Sequence, residues 1–131
     1  MSNHEPNEKI VIELMRLVGE GDADGVLDLL HPDFVSHNPT VAHDPAVATG
    51  KQAFAAFLRS TAGAQMLGSN IEIRRVMADG DHVMVHSRFV RADPPHIAAV
   101  DILRLSHGLV VEHWDVLQPI PTSLPHPHGM V

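Results

Sequence analysis

Apolar positions in the first half of the chain recur at helical spacing, and those in the second half alternate with polar ones. Ile10, Leu14, Leu17 and Val18 share one helical stripe, which Gly19 and Gly21 bring to an end. A second, short helix follows Asp22 as N-cap, buries Val26, Leu27, Leu29 and Leu30, and stops at Pro32. Phe34-Val35-Ser36-His37 reads as a brief strand running into the Asn38-Pro39 turn, and the proline and alanine content of residues 40–49 reads as an irregular loop or lid. Gly50 opens a third helix with Phe54, Phe57 and Leu58 on one side. After Gly68 the period changes to that of strands, over residues 70–77, 82–91, 96–105 and 109–118. Asp79-Gly80 and His107-Gly108 stand where hairpin turns are needed, which predicts a four-stranded antiparallel meander.

Three helices followed by a curved antiparallel sheet make an α+β fold with one face of the sheet covered by helices. The domain spans residues 1–118, and the proline-rich residues 119–131 form an extended arm or a disordered tail. Both faces of the strands carry apolar residues. Val83, Val85, Phe89, Val100, Ile102, Val110, Trp114 and Val116 suit one face, and Met84, Leu103, Val111 and Leu117 the other. A second apolar face needs cover, so a homodimer through the outer face of the sheet, including Trp114, is expected.

Composition narrows the function classes. A chain of 131 residues with 44% hydrophobic content builds one core. It has no cysteine, hence no disulfide framework and no thiolate metal site. A net charge of -7 without any Lys/Arg cluster argues against nucleic acid as a partner. The polar, acidic residues 1–9 and the lack of a long apolar run argue against a leader or a membrane span, so a cytoplasmic location is the default. Eleven histidines and no tyrosine are the compositional oddities.

The tetrapeptide Glu112-His113-Trp114-Asp115 puts imidazole, indole and carboxylate on one strand, with Asp101 on the strand before it. Side chains alternate between faces, so the register of this hairpin decides which groups share a pocket. A tight two-residue turn at His107-Gly108 groups Asp101 with Glu112 and Trp114. A three-residue turn with a bulge groups Asp101 and Leu103 with His113, Asp115 and Leu117.

Several segments resemble the nuclear transport factor 2-like superfamily and, within it, the SnoaL-like polyketide cyclase group of aldol-condensation proteins. They are His37-Asn38-Pro39, Val76-Met77-Ala78-Asp79-Gly80-Asp81, Val100-Asp101-Ile102-Leu103-Arg104, and Val111 to Gln118. The resemblance implies a cone of three N-terminal helices on a strongly curved, mainly antiparallel sheet, with a pocket inside. Ketosteroid isomerases share this cone and place an oxyanion-stabilising aspartate at the position of Asp101. That correspondence favours the bulged register, sends Trp114 to the dimer face, and turns Met84, His86 and Arg88 inward. His37 and Asn38 are candidates for the pocket mouth, although Asn-Pro is equally an ordinary turn initiator.

The isomerase base position is Asn38 here, and the phenolic donor of those enzymes cannot exist without tyrosine. Similarity to the cyclases instead implies an inward aspartate on the last strand as acid/base. Asp115 takes that role, supported by Asp101, His86 or His113, with Met84, Arg88, Leu103, Leu117, His37 and Asn38 in contact with substrate. Aldol closure needs a base for a carbon-bound proton and a donor for the enolate oxygen; a preorganised donor contributes roughly 3 kcal/mol. No cofactor is implied. His86, His113, Asp101 and Asp115 are legitimate metal ligands, but no compact ligand motif accompanies them, so no metal is assigned. The four groups could also simply neutralise one another. Two functions therefore stand side by side: a cyclase, aldol or isomerase enzyme acting on a small apolar carbonyl compound, and a noncatalytic module for ligand binding or dimerisation.

Overall fold

The computed structural model describes residues 4–131; the first three residues of the polar N-terminal segment lie outside the described residues. Four helices and five strands follow in the order α1 (His4–Glu20), α2 (Ala23–Asp28), β1 (Leu30–Ser36), α3 (Gly50–Leu58), α4 (Thr61–Met66), β2 (Asn70–Asp79), β3 (His82–Val90), β4 (Ile97–Ser106) and β5 (Leu109–Pro119). The strands form one curved sheet in the order β1-β5-β4-β3-β2. The meander of β2 to β5 matches the alternation in the sequence, and β1 joins it in parallel beside β5. No described helix is long and apolar enough to cross a membrane.

Two helical details differ from expectation. Asp22 does cap α2 by accepting from the Gly25 N–H at 2.9 Å, but the helix ends at Asp28, and Leu30 and Pro32 already belong to β1. Pro32 lacks a ladder donor, and the β1/β5 register shifts between Leu30 and Val35, on either side of it. The fourth helix, α4, is too short for a periodic signal. Ser60 starts it by accepting from the Gly63 N–H at 3.2 Å.

The core lies between the helices and the concave face of the sheet. Val11, Val26, Phe34, Val83, Val85 and Val110 are essentially inaccessible there. Phe34 and Phe54 meet edge to face at 5.3 Å, and Phe57 follows Phe54 at 5.4 Å, tying β1 to α3. α3 can come this close because it begins with glycine. Thr49 and Gln52 form a reciprocal capping box, and the next residue, Gly50, faces the Phe34 carbonyl oxygen so closely that a Cβ would stand 1.4 Å from it.

The β4–β5 hairpin resolves the register question in an unforeseen way. Ser106 pairs with Leu109, so the turn is the tight two-residue His107-Gly108, with φ of +52° and +80° at its two positions as a mirror-image turn requires. The bulge is present too, but farther along. Leu105 pairs with Val110 and Arg104 with Glu112, which leaves Val111 without a partner. The extra residue restores the parity that a tight turn alone would reverse. Leu103 therefore opposes His113, and Asp101 opposes Asp115.

On β3 the expected orientation is corrected. Val85 opposes Asp101 without any bulge between β3 and β4, so Val83, Val85 and Ser87 face inward and are fully buried. Met84, His86 and Arg88 lie on the outer face instead. The two apolar sets read from the sequence are accordingly redistributed: Val83, Val85, Phe89 and Val110 share the inner face with Leu103, while Val100, Ile102, Trp114 and Val116 share the outer face with Met84.

The Gly50 contact gives a stability test. Gly50→Ala should lower urea-unfolding stability by about 3 kcal/mol, because backbone must move to admit the methyl group. Gly19→Ala in α1, whose Cβ meets only the Ser69 carbonyl oxygen at 3.4 Å, should be neutral or stabilising.

Candidate functional site

Three ionisable side chains converge on the concave face from adjacent strands: Asp101 of β4, and His113 and Asp115 of β5. Their positions follow from the Val111 bulge, which turns alternate residues beyond it inward. The His113 Nε2 lies 2.8 Å from Asp101 Oδ1. One ligand-capable atom from each of the three residues falls within 4.8 Å of the others. Asp101 is only 7% exposed, a burial that a carboxylate tolerates when a partner is at hand.

Asn38 supplies the next contact. Its amide Nδ2 donates to Asp115 Oδ2 at 2.7 Å, and its own Oδ1 accepts from the Thr40 N–H at 2.8 Å and from the Thr40 hydroxyl. Thr40 thereby fixes which end of the amide faces Asp115. One oxygen of each carboxylate is engaged, and the others, Asp101 Oδ2 and Asp115 Oδ1, are buried with no hydrogen-bond partner. Such groups are costly in isolation and await a donor.

Burial disfavours a charged imidazole at His113. The hydrogen bond to Asp101 and the charges of Asp101 and Asp115 outweigh it, and the pKa of His113 stands above its ordinary value. His113 is thus held toward the imidazolium form, with Nε2–H donating to Asp101 and Nδ1 free of a protein partner.

Two hollows share this group in their walls. An inner chamber of about 60 Å³ runs between Leu14, Met15, Val18, Phe34, Phe54 and their neighbours. A mouth of about 210 Å³ is lined by Asn38, Thr40, Phe57, Met66, Ile97, Asp115 and Leu117 among others. Met66, Phe89, Asp101 and His113 border both. The expected pocket residues Asn38, Asp101, Leu103, His113, Asp115 and Leu117 are therefore all brought to the cavity.

His37, His86, Met84 and Arg88 are not. The His86 Nδ1 meets the Arg75 guanidinium at 2.8 Å on the outer face, and Arg88 pairs with Glu72 there, its Nε at 2.6 Å. His37 also points outward, since Val35 pairs with Glu112 and Ser36 with His113 along the parallel ladder. Its Nε2 lies 2.7 Å from Glu112, whose other oxygen accepts from Arg104 at 3.0 Å. These contacts, His37 first, hold the Glu112 carboxyl below the usual range. Trp114 stacks on His37 with ring centres 5.0 Å apart and on His82 at 6.0 Å. Thr40, Phe57, Met66 and Phe89 were missing from the sequence-derived pocket; Phe57 had a helical signal, but nothing local marks a mouth.

For a metal ion, the fitting ligand set is Asp101, His113 and Asp115, two carboxylates and one imidazole. His86, included in the sequence-derived set, lies on the opposite face. What the trio offers without any ion is an unpartnered, buried carboxylate oxygen beside an imidazole whose pKa is raised, at the border of an apolar chamber.

The sequence profile of the SnoaL-like domain family matches residues 11–113. No curated protein sequence matches the chain. Among solved structures, a candidate ketosteroid isomerase from Kribbella flavida superposes with a TM-score of 0.72 at 18% identity, covering 98% of this chain and 89% of its own. An LEH-like epoxide hydrolase from M. tuberculosis gives 0.67 at 17% identity, over 88% of this chain and 85% of its own. An NTF-2 like protein of unknown function from Burkholderia xenovorans gives 0.70 at 17%, over 92% and 88%. At these identities the solved structures establish the cone fold.

The His113–Asp101 contact predicts a pH dependence. A raised imidazole pKa in the folded state contributes stability that is fully present below the unfolded value of roughly 6.5 and is lost as pH rises through the folded value. Asp101→Asn should lower the His113 pKa, read by NMR of the ring, and should remove this acid-side stabilisation. An unchanged His113 titration would contradict the assignment.

Proposed function

The chain belongs to the SnoaL-like domain family, and from that premise we propose that it is an acid/base enzyme for aldol-type cyclisation or isomerisation of a small apolar carbonyl compound. The observation that carries this reading is the unpartnered, buried Asp115 Oδ1 next to a His113 held toward its charged form. The names of two fold neighbours, a ketosteroid isomerase and an epoxide hydrolase, agree with a catalytic cavity in this cone.

In the proposed reaction Asp115 Oδ1 takes a proton from the carbon beside a carbonyl. The C–H electron pair moves into the enolate, whose oxygen accepts a hydrogen bond from His113 Nδ1–H. For cyclisation, the enolate carbon then attacks a second carbonyl of the same molecule, and the proton on Asp115 is delivered to the new alkoxide oxygen. For isomerisation, the proton returns to a different carbon. Asp101 is a positioning residue, because its Oδ1 orients the imidazole and stabilises the positive charge. Asn38 is a positioning residue for Asp115, since it engages Oδ2 and leaves Oδ1 for the proton. The apolar chamber strengthens each of these interactions by excluding water.

The modest size of the hollows supports a small substrate. Typical pockets for drug-sized ligands begin at roughly 300 Å³, and the mouth here is about 210 Å³. The same reading gives the outer face, where Met77 is 53% and Val116 70% exposed, to a second copy of the chain. Val116→Asp should then shift the sedimentation coefficient from dimer to monomer, whereas identical sedimentation of both proteins would remove that assignment.

Exchange chemistry tests the reaction without the natural substrate. In heavy water the protein should accelerate deuterium incorporation beside the carbonyls of 2,5-hexanedione, followed by proton NMR. Asp115→Asn should reduce that rate by about 10²- to 10⁴-fold with the fold intact. No acceleration by the parent protein, or equal rates in the two, would leave the noncatalytic binding module as the better reading.

A further inference from the structure

The cavity has a polar end that the acid/base chemistry does not use. Gln65, Ser69 and Arg91 line the mouth and also line a shallow surface depression beside it, so they form the rim where the two meet. Asp101 and His113 border the mouth on the side of the inner chamber. A molecule lying along the cavity therefore meets an apolar chamber first, the ionisable trio next and Arg91 last.

Arg91 is the arginine of this acidic chain that borders the mouth. Arg16, Arg74, Arg88 and Arg104 each face a glutamate and Arg75 faces His86, whereas the guanidinium groups of Arg91 and of Arg59, which lies away from the mouth, have no protein partner among the described residues. Its backbone N–H is tied to His96 Nδ1 at 3.0 Å, which anchors the residue at the end of β3 while the side chain stays free. A guanidinium fork with open donors at the lip of a cavity is suited to a planar or tetrahedral oxyanion.

We propose that the substrate is an amphiphile with an anionic head group, a carboxylate or a phosphate ester, which Arg91 holds at the rim while the apolar end fills the inner chamber. This deepens the acid/base reading by adding a charged end to its otherwise apolar substrate, and rests on that reading for the carbonyl between the two ends. The two carboxylates of the trio repel an anion, so the reversed orientation is disfavoured by the same charges that carry the chemistry. Arg91 fixes which stretch of the molecule lies against Asp115 Oδ1, and so acts on specificity rather than on proton transfer.

Calorimetric titration of the full chain with hexanoate, hexyl phosphate and 1-hexanol tests this. The parent protein should bind at least one of the anions about tenfold more tightly than the alcohol, and the tighter anion identifies the head group. Arg91→Gln should erase the preference with unchanged thermal unfolding, and Lys51→Gln should keep it. Equal affinity for the alcohol and both anions, a preference that survives Arg91→Gln, or no binding of any of the three would overturn the proposal. These ligands undergo no reaction, so Asp115→Asn should retain the preference. Absence of deuterium exchange by the parent protein, with its anion preference intact, would then count against the chemistry alone.

Discussion

The unpaired residue Val111 in β5 is the constraint on which the site depends. A tight turn at His107-Gly108 followed by uninterrupted pairing would set Asp101 opposite Trp114 and Leu103 opposite Glu112. Glu112 would then be buried without a cation, and Asp101 would be buried without an imidazole, each a penalty of several kcal/mol. The bulge forfeits one rung of the ladder and supplies both partners. Arg104 stands across from Glu112 on the outer face at 3.0 Å, and His113 reaches Asp101 on the inner face at 2.8 Å. Losing one rung costs less than leaving two charges unpaired, so the bulged register wins.

The same residue links the two faces of the sheet. His37 and Asn38 are neighbours in sequence, yet one is bonded to Glu112 outside and the other to Asp115 inside. The His37 N–H also donates to the His113 carbonyl oxygen at 2.8 Å, which seats the end of β1 against the strand that carries the trio. Asp115 is thus held by a chain segment clamped from both sides. A rigid support of this kind keeps the free Asp115 Oδ1 in one place without a hydrogen bond to that oxygen itself. The apolar walls contribute differently. They add no hydrogen bonds, and their lack of polarity is what leaves two carboxylate oxygens without a partner.

Much of the fold could be read from the sequence because period is a strong signal. The stripe at Ile10, Leu14, Leu17 and Val18, the change of period after Gly68 and the two glycine-containing turns all have direct structural counterparts. α4 was missed because six residues show no periodicity, and the start of β1 was missed because Pro32 reads as a helix stop whether or not a strand follows. The site was legible in part. Asp101, His113, Asp115 and Asn38 all border the cavity. His86, Met84 and Arg88 were turned the wrong way, since β3 is apolar on both faces and its alternation alone cannot say which face is inner. Val83, Val85 and Ser87 decide it through burial, which only the packed helices reveal. His37 was lost for a related reason: a parallel strand takes its parity from its partner, and that partner contains the bulge.

The pairing of β4 with β5 tests the central claim most directly, and cross-strand backbone NOEs of the full chain measure it. The account predicts contacts that place Asp101 opposite Asp115 and Leu103 opposite His113, as in the ladder described above. Contacts placing Asp101 opposite Trp114 and Leu103 opposite Glu112 would contradict it, because the imidazole and the second carboxylate would then lie outside the cone.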